Sequence, residues 1–395
     1  MGEWKEITLA DLCTDISYGY TESAKQEKVG PKFLRITDIA SGRLEWENVP
    51  YCPINESDFE KYKLLPGDIV IARTGATTGA NYTINESDPK DVVFASYLIR
   101  YKINSQIANP YYIGQLLQSP NWSDYVDAIA GGSAQPGANA KQLGSFEILL
   151  PPLPEQRAIA SILSSLDDKI DLLHRKNATL EKMAETLFRQ WFVEEAKEEW
   201  ENCVLEDLCS QINSGGTPST KIETYYNGNI NWYSTKELND NYLFESISKI
   251  TQDGLENSAA KLFPKGTVLI AIYAAPTVGR LGILGNQSAF NQAACGLIAN
   301  DKICCKEFIY LYLKNQRNEL NAMASGSAQQ NLNVGKIKTY PAFIPDDITM
   351  NKFKREIIPF FEKIEKNAMQ IRTIKALRDT LLPKLMSGEV RVEPD

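Results

Sequence analysis

The chain has 395 residues, 43% of them hydrophobic and 23% charged, with a formal net charge of −8 at pH 7. That is the balance of ordinary globular domains, with length for two or three of them. No apolar run approaches the ~20 residues a membrane helix needs. A single histidine, His174, and seven scattered cysteines without a C-x-x-C pair argue against zinc sites and Ser–His triads.

The opening "MGEWKE" has no basic-then-apolar leader and carries Glu6 where myristoylation wants Ser or Thr, so the expected location is cytoplasmic. From there the chain repeats itself. "EWKEITLADLC" (Glu3–Cys13) returns as "EWENCVLEDLC" (Glu199–Cys209), and "KLLPGDIVIA" (Lys63–Ala72) as "KLFPKGTVLIA" (Lys261–Ala271). "GSAQ" stands at Gly132–Gln135 and again at Gly326–Gln329; "FEILLP" (Phe146–Pro151) returns as "YPAFIP" (Tyr340–Pro345). Four matches in one order make two copies of a unit of about 195 residues.

Each copy opens with a strand-rich part. "FLRITDI", "GDIVIART", "VVFASYLIRY", "GTVLIAIY" and "ACGLIA" mix β-branched and apolar residues between Gly, Pro and Asn breakers. A short helix interrupts each copy, "NPYYIGQLLQS" in the first and "KEFIYLYLKNQ" in the second. Asn109 and Pro110 read as cap and first turn of that helix. GSAQ reads as a tight turn before the last strand.

One long helix closes each copy. Its first seam is Leu166, Ile170, Leu173, Asn177, Leu180, Ala184, Leu187 and Trp191, alternating steps of four and three, the coiled-coil spacing. The second is Phe360, Ile364, Asn367, Ile371, Ile374, Arg378, Leu381 and Leu385, each 194 residues on. The fold class is therefore α/β: two mixed α/β globules separated by two long antiparallel coiled-coil helices, with an internal pseudo-twofold repeat. The boundaries are 1–153 and 199–345 for the globules, 154–198 and 346–395 for the helices. Asn177 and Asn367 interrupt the stripes, either as tolerated polar residues or as residues that fix pairing register.

Catalytic signatures are missing. "RTGATTGANY" (Arg73–Tyr82) lacks the G-K-[ST] ending of a phosphate loop, and no G-x-G-x-x-G occurs. "NPYY" (Asn109–Tyr112) approaches the Asn/Asp-Pro-Pro-Tyr/Phe turn of adenine methyltransferases, but its second Pro is missing and the second copy has "CCKEFIY" instead. No catalytic or metal residue is expected.

Two globules alternating with two long helices resemble the specificity subunit of type I restriction–modification systems. "GGTPSTKIETYYNGNINWYSTKEL" (Gly215–Leu238), "TVGRLGIL" (Thr277–Leu284) and "NQAACGLI" (Asn291–Ile298) look like a target-recognition domain of that family, and "LLPPLPEQRAIASIL" (Leu149–Leu163) like its domain-to-helix junction. "AIYAAPTVG" (Ala271–Gly279) departs from the family, which often has an Arg or a Gly-Ala-Thr turn there. The resemblance implies that each globule reads one half of an asymmetric, two-part DNA target. It implies that the helices set the spacer and dock two methyltransferase subunits that carry S-adenosylmethionine and methylate adenine N6. Endonuclease/translocase subunits using ATP and Mg would join through them. This chain itself would carry no cofactor. The rival reading is a two-headed protein scaffold without DNA contact.

Direct base readout wants Arg, Lys, Asn, Gln, Ser and Thr on loops. The candidates in the first copy are Tyr20, Thr21, Arg35, Thr37, Arg73, Thr74, Thr77, Thr78, Ser96 and Gln135. Those in the second are Thr217, Ser219, Thr220, Lys221, Tyr233, Ser234, Thr235, Lys236, Thr277, Arg280, Gln292 and Gln329. Gln135 and Gln329, on a loop shared by both copies, suit backbone or phosphate contact better than base choice.

Overall fold

The structure is a computed structural model that describes residues 3–40, 42, 44–131, 137–273, 277–325 and 332–393. Both GSAQ loops, with Gln135 and Gln329, lie outside the described residues. The chain divides into two compact units, Met1–Ile170 with Thr373–Asp395, and Asp171–Arg372.

In the first unit the strands and helices run β1 (Lys5–Thr8), β2 (Cys13–Tyr18), β3 (Lys32–Leu34), α1 (Ile36–Ile39), α2 (Glu56–Tyr62), β4 (Asp68–Ala72), β5 (Asn81–Thr83), β6 (Val92–Phe94), β7 (Leu98–Ile103), α3 (Pro110–Leu116), α4 (Pro120–Ala130), α5 (Ala140–Gly144) and β8 (Glu147–Leu150). The helix α6 (Leu153–Arg189) follows and passes into the second unit. The main sheet is antiparallel in the order β2-β7-β4-β5, β3 pairs parallel with β6, and β1 pairs antiparallel with β8. Thus the first and last segments of the repeat are neighbours in space: Lys5 faces Leu150 and Thr8 faces Glu147.

The second unit repeats this plan with β9 (Glu201–Val204), β10 (Cys209–Ser214), β11 (Tyr226–Tyr233), β12 (Asn241–Leu243), β13 (Ser248–Ile250), α7 (Gln252–Glu256), β14 (Val268–Ala271), β15 (Leu281–Leu284), β16 (Ala289–Phe290), β17 (Ala294–Ala299), α8 (Lys306–Asn315), α9 (Arg317–Ser325), α10 (Val334–Lys338) and β18 (Pro341–Ile344). The helix α11 (Asp347–Met386) then runs back into the first unit. The main sheet order is β10-β17-β14-β15-β12, β11 pairs with β13 and β16, and β9 pairs with β18. The added strand β12 is the chief departure from the first copy.

Three local expectations change. "FLRITDI" is a strand only as far as Leu34, because the Asp38 carboxylate accepts the Arg35 N–H at 2.8 Å and starts a helical turn. "VVFASYLIRY" is two strands, β6 and β7, joined by a turn through Ala95–Tyr97. The last strand of each unit is preceded by a short helix, α5 or α10, and not directly by the GSAQ turn. "NPYY" is a helix start: Asn109 Oδ1 accepts the Tyr111 and Tyr112 N–H groups, both at 3.0 Å, with Pro110 in the first turn.

Within the first unit, Ile159, Ala160 and Leu163 of α6 share one core with Leu382, Leu385 and Met386 of α11 and with Tyr112, Ile113 and Leu116 of α3. Seam residue Ile170 is buried here; Leu166, Ile374 and Leu381 are half-buried. The seam is pinned by ions: Arg378 meets Asp167 at 2.8 Å, and Arg391 grips buried Glu155 with two nitrogens. Rising numbers on α6 meet falling numbers on the C-terminal segment, so the two run antiparallel here. Gln156, fully buried, accepts the Asn109 N–H at 2.8 Å and donates to the Pro151 carbonyl at 2.8 Å, tying helix to globule.

Within the second unit the pairing is again antiparallel. Leu173, Ile364 and Ile371 are buried, Leu180 and Phe360 half-buried. Beyond Ala184 the buried positions leave the heptad: Phe188 of α6 and Phe192, in the helical turn Gln190–Glu194 that follows it, are buried, whereas Leu187 and Trp191 are half-buried. The reason is a second partner. Phe188 and Phe192 lie 5.5 and 5.0 Å from Phe308 of α8 as well as against Phe353 of α11, so the apolar face widens. The two seam asparagines meet. Asn367, only 2% exposed, donates to Asn177 Oδ1 at 2.7 Å, and Asn177 donates to the Ile364 carbonyl at 3.4 Å.

The repeated "EW" openings have a shared job. Trp4 Nε1 donates to Glu155 at 3.3 Å, and Trp200 Nε1 donates to Asp346 at 3.0 Å. Each indole holds a carboxylate at the start of a long helix. Asp346 also accepts the Thr349 N–H at 2.9 Å, as a helix cap, and pairs with Lys197 at 2.8 Å. Hydrogen bonds from Lys197, Thr349 and Trp200 hold Asp346 well below the usual carboxylate range, and Arg391 lowers Glu155.

Two predictions follow from these contacts. Asn177→Leu leaves the buried Asn367 amide without its partner and is expected to cost about 1–3 kcal/mol. Asn177→Leu with Asn367→Leu should recover most of that loss while raising amide exchange along the pair. Additive effects in urea unfolding would show that the asparagines are not coupled. Asp346→Asn keeps a capping oxygen and loses the charge that faces Lys197, and should cost about 0.2–1 kcal/mol of stability at pH 7. Because the folded Asp346 carboxyl titrates below its unfolded value, its contribution is present above the ordinary carboxylate range and fades as pH falls through the folded value. The gap between variant and wild-type urea midpoints should therefore shrink steadily below about pH 4.

Candidate nucleic-acid interface

In each unit four segments meet at one edge of the sheet, held by backbone hydrogen bonds. In the first unit Gly19 N–H donates to Leu98 at 3.2 Å, Tyr20 N–H to Phe94 at 2.8 Å and Ser96 N–H to Tyr20 at 2.9 Å. Ala95 N–H donates to Leu34 at 2.9 Å and Arg73 N–H to Tyr97 at 3.1 Å. The end of β2, the β3–α1 junction, the turn after β4 and the β6–β7 turn thereby form one rim. The second unit makes the counterparts of four of these five bonds: Gly215 to Ala294 at 3.2 Å, Gly216 to Phe290 at 2.9 Å, Asn291 to Tyr233 at 2.9 Å and Ile272 to Ala293 at 2.8 Å. A Cβ on Gly19 would stand 2.3 Å from the Ala95 carbonyl oxygen, and one on Gly215 2.0 Å from that of Phe290, so the rim closes only with glycine there.

The rim gathers most of the expected residues of the first unit. Arg73 stacks over the Tyr18 ring, its guanidinium carbon 5.1 Å from the centroid, and has no carboxylate partner among the described residues. Thr74 bridges to Gly137. Tyr20 is half-buried against Tyr62, 5.2 Å between centroids. Thr21 and Thr37 are exposed, and Ser96 is half-buried in the β6–β7 turn. Thr77 and Thr78 build the turn after β4, where Thr78 donates to the Gly75 carbonyl at 2.7 Å. Arg35 is otherwise engaged: its guanidinium grips Asp38 with two nitrogens at 3.0 and 2.8 Å. That hydrogen bonding raises its pKa and makes it a clamp on the β3–α1 junction.

In the second unit Thr217 donates to Gln292 Oε1. Thr277 donates to Thr235 and to the Tyr273 carbonyl, both at 3.4 Å. Ser234 and Glu237 form the capping pair that Arg35 and Asp38 form in the first unit. Lys236, Ser219, Thr220 and Lys221 are exposed, the last three on the loop leading to β11. Arg280 is half-buried after the turn. Tyr233 is a correction: it is wholly buried among Phe263, Phe290 and Leu269, so its ring cannot reach a ligand. An aromatic in strand alternation faces core as readily as solvent.

Two rim residues escaped the sequence reading. Tyr18 is 43% and Tyr97 58% exposed, flanking Arg73. The available signal was that each neighbours a chosen residue in "YGY" and "ASY", one at a strand end and one in a turn, where side chains leave the core.

Arginine on an aromatic face, hydroxyls and an amide beside exposed tyrosines can donate to base edges and phosphates and stack on rings. All seven cysteines are free, and burial pushes the thiols of Cys13, Cys209, Cys295 and Cys304 up to about 12, far from the thiolate. No cluster of three or more His, Cys, Asp or Glu that could hold a metal occurs among the described residues. No described helix is long and apolar enough to cross a membrane.

The repeat within the chain is also found by comparison with known proteins. The type I restriction modification DNA specificity domain matches twice, at residues 1–182 and 197–377. The chain belongs to that family. The HindI specificity subunit of Haemophilus influenzae is 24% identical, with 99% of this chain and all of that one aligned. The MjaIX specificity subunit of Methanocaldococcus jannaschii is 29% identical over 83% of this chain and 76% of that one. The crystal structure of a type I restriction–modification S subunit from M. genitalium superposes with a TM-score of 0.60 over 97% of this chain and 96% of that one, at 16% identity. That likeness establishes a shared fold.

The arrangement separates clamp from contact. Arg35→Ala leaves the Asp38 carboxylate without its ion partner and is expected to lower stability by about 1–2 kcal/mol. Arg73→Ala removes a stacking contact and should cost less. Thermal unfolding of the two variants gives the order, and the reverse order would mean that Arg73 is the structural residue.

Proposed function

We propose that this chain is the DNA-recognition subunit of a type I restriction–modification complex and carries no catalytic centre of its own. Each unit reads one half of an asymmetric two-part target through its rim. The observation that carries this reading is that the family's DNA specificity domain matches twice, over two rims that share most of their backbone bonds but are furnished with different side chains. One backbone with two sets of contacts suits two different half-sites.

The target-recognition domains are then 1–153 and 199–345, and the helices 154–198 and 346–395 set the spacer and dock two adenine-N6 methyltransferase subunits. S-adenosylmethionine belongs to those partners, and ATP and Mg to endonuclease subunits that join through them. α11, of 40 residues, measures about 60 Å at 1.5 Å per residue. Half-sites one DNA turn apart are about 34–36 Å centre to centre, so helices of this length suffice to hold two readers over successive major grooves.

The test is N6-methyladenine mapping by long-read sequencing in cells that express this chain with its methyltransferase, against cells lacking this chain alone. A two-part motif that disappears without the chain is the expected result. An unchanged methylome with the complex assembled would remove DNA reading and leave the scaffold.

A further inference from the structure

The backbone bonds of the two rims fix which residues correspond. Phe94 matches Phe290, since each accepts the N–H of the residue after the close-packed glycine. Ser96 therefore stands where Gln292 stands, and Thr21 where Thr217 stands. Arg73 donates its N–H to Tyr97 as Ile272 donates to Ala293, so the place of the arginine is taken by isoleucine in the second unit. Ile272 is buried, 1% exposed. Each rim thus carries one long multi-donor side chain at these positions, and the two differ in kind and place.

The hydrogen-bonding capacities differ in a useful way. A guanidinium has donors only, in a planar fork that matches the two major-groove acceptors of guanine, O6 and N7. Arg73 lies over the Tyr18 ring, and its Nε is buried without a hydrogen-bond partner, leaving the terminal nitrogens as the contacting end. An amide has a donor end and an acceptor end, which matches the donor N6 and acceptor N7 of adenine. The Thr217 hydroxyl donates to Gln292 Oε1, and this contact orients the amide. Oε1 retains a lone pair for N6–H, and Nε2, which donates to no described group, is left for N7.

Resting on the reading above, we propose that Arg73 specifies a guanine in the half-site of the first unit and that Gln292, positioned by Thr217, specifies an adenine in that of the second. The two half-sites differ in base content because the two rims exchange a donor-only fork for a donor–acceptor amide. Thr217 is a positioning residue: it acts through Gln292.

The experiment is methylome mapping of the assembled methyltransferase complex carrying Arg73→Lys, Gln292→Ala, Thr217→Val or Thr217→Ser. Wild type is expected to show a guanine in one half and an adenine besides the methylated one in the other. Arg73→Lys keeps the charge and loses the fork, and should relax one guanine position by roughly 10- to 100-fold while the other half keeps its sequence. Gln292→Ala should relax one adenine position in the opposite half, Thr217→Val should do the same more weakly, and Thr217→Ser should restore it. Loss of methylation with an unaltered motif would overturn the assignment in favour of phosphate contact, as would relaxation of both halves by one variant. Absence of any motif in wild type would instead overturn the recognition reading itself. A variant complex that fails to assemble is replaced by Arg73→Gln or Gln292→Glu, for which an unchanged base preference likewise sinks the assignment.

Discussion

A helix of 37 or 40 residues with one apolar stripe gains most of its stability from covering that stripe. Here the cover comes from two sides. In the first unit the α6 stripe is shared by α11 and α3, and in the second by α11 and α8. The globules and the helices are therefore single cores, and the strict heptad yields wherever a globule presses in. Polar groups along the helix seams meet one another: Asn177 with Asn367, Asp167 with Arg378, Glu155 with Arg391 and Trp4. Buried amides and ions admit far fewer registers than leucines do.

The rims show the complementary principle. Their shape is set by main-chain hydrogen bonds and by two glycines that nothing larger can replace, so it is insensitive to the side chains that project from it. Arginine, isoleucine, serine and glutamine can exchange at corresponding places without moving the frame. That separation of frame from contact is what lets one fold offer two different surfaces within one chain.

Much of the fold was legible because it is written twice. The sequence pattern placed β4, the last strand of each copy and the long helices, and the 194-residue offset of the seams followed from sequence alone. The junction helices were less legible: the capping carboxylates Asp38 and Glu237 act from inside runs that look like strand. The Phe188 and Phe192 departure depended on Phe308, more than a hundred residues away, which no local period reveals. At the site, residue type put Arg73, Thr217 and Gln292 forward on the same footing as Arg35, spent on a neighbour, and Tyr233, spent on the core. Partnership is a tertiary property, and a polar side chain announces only its capacity.

The division of the chain into units has a bearing on how the molecule is made. The second unit is one uninterrupted stretch, 171–372, whereas the first needs both ends of the chain. Buried Glu155 takes its hydrogen bonds from Trp4 and from Arg391. During synthesis Trp4 emerges before the second unit, and Arg391 only after it. The first unit is thus begun before the second and completed after it, and until Arg391 is added the Glu155 carboxylate waits for half of its partners. Quality control over the half-made chain, by chaperones or by proteases, would fall on the N-terminal half.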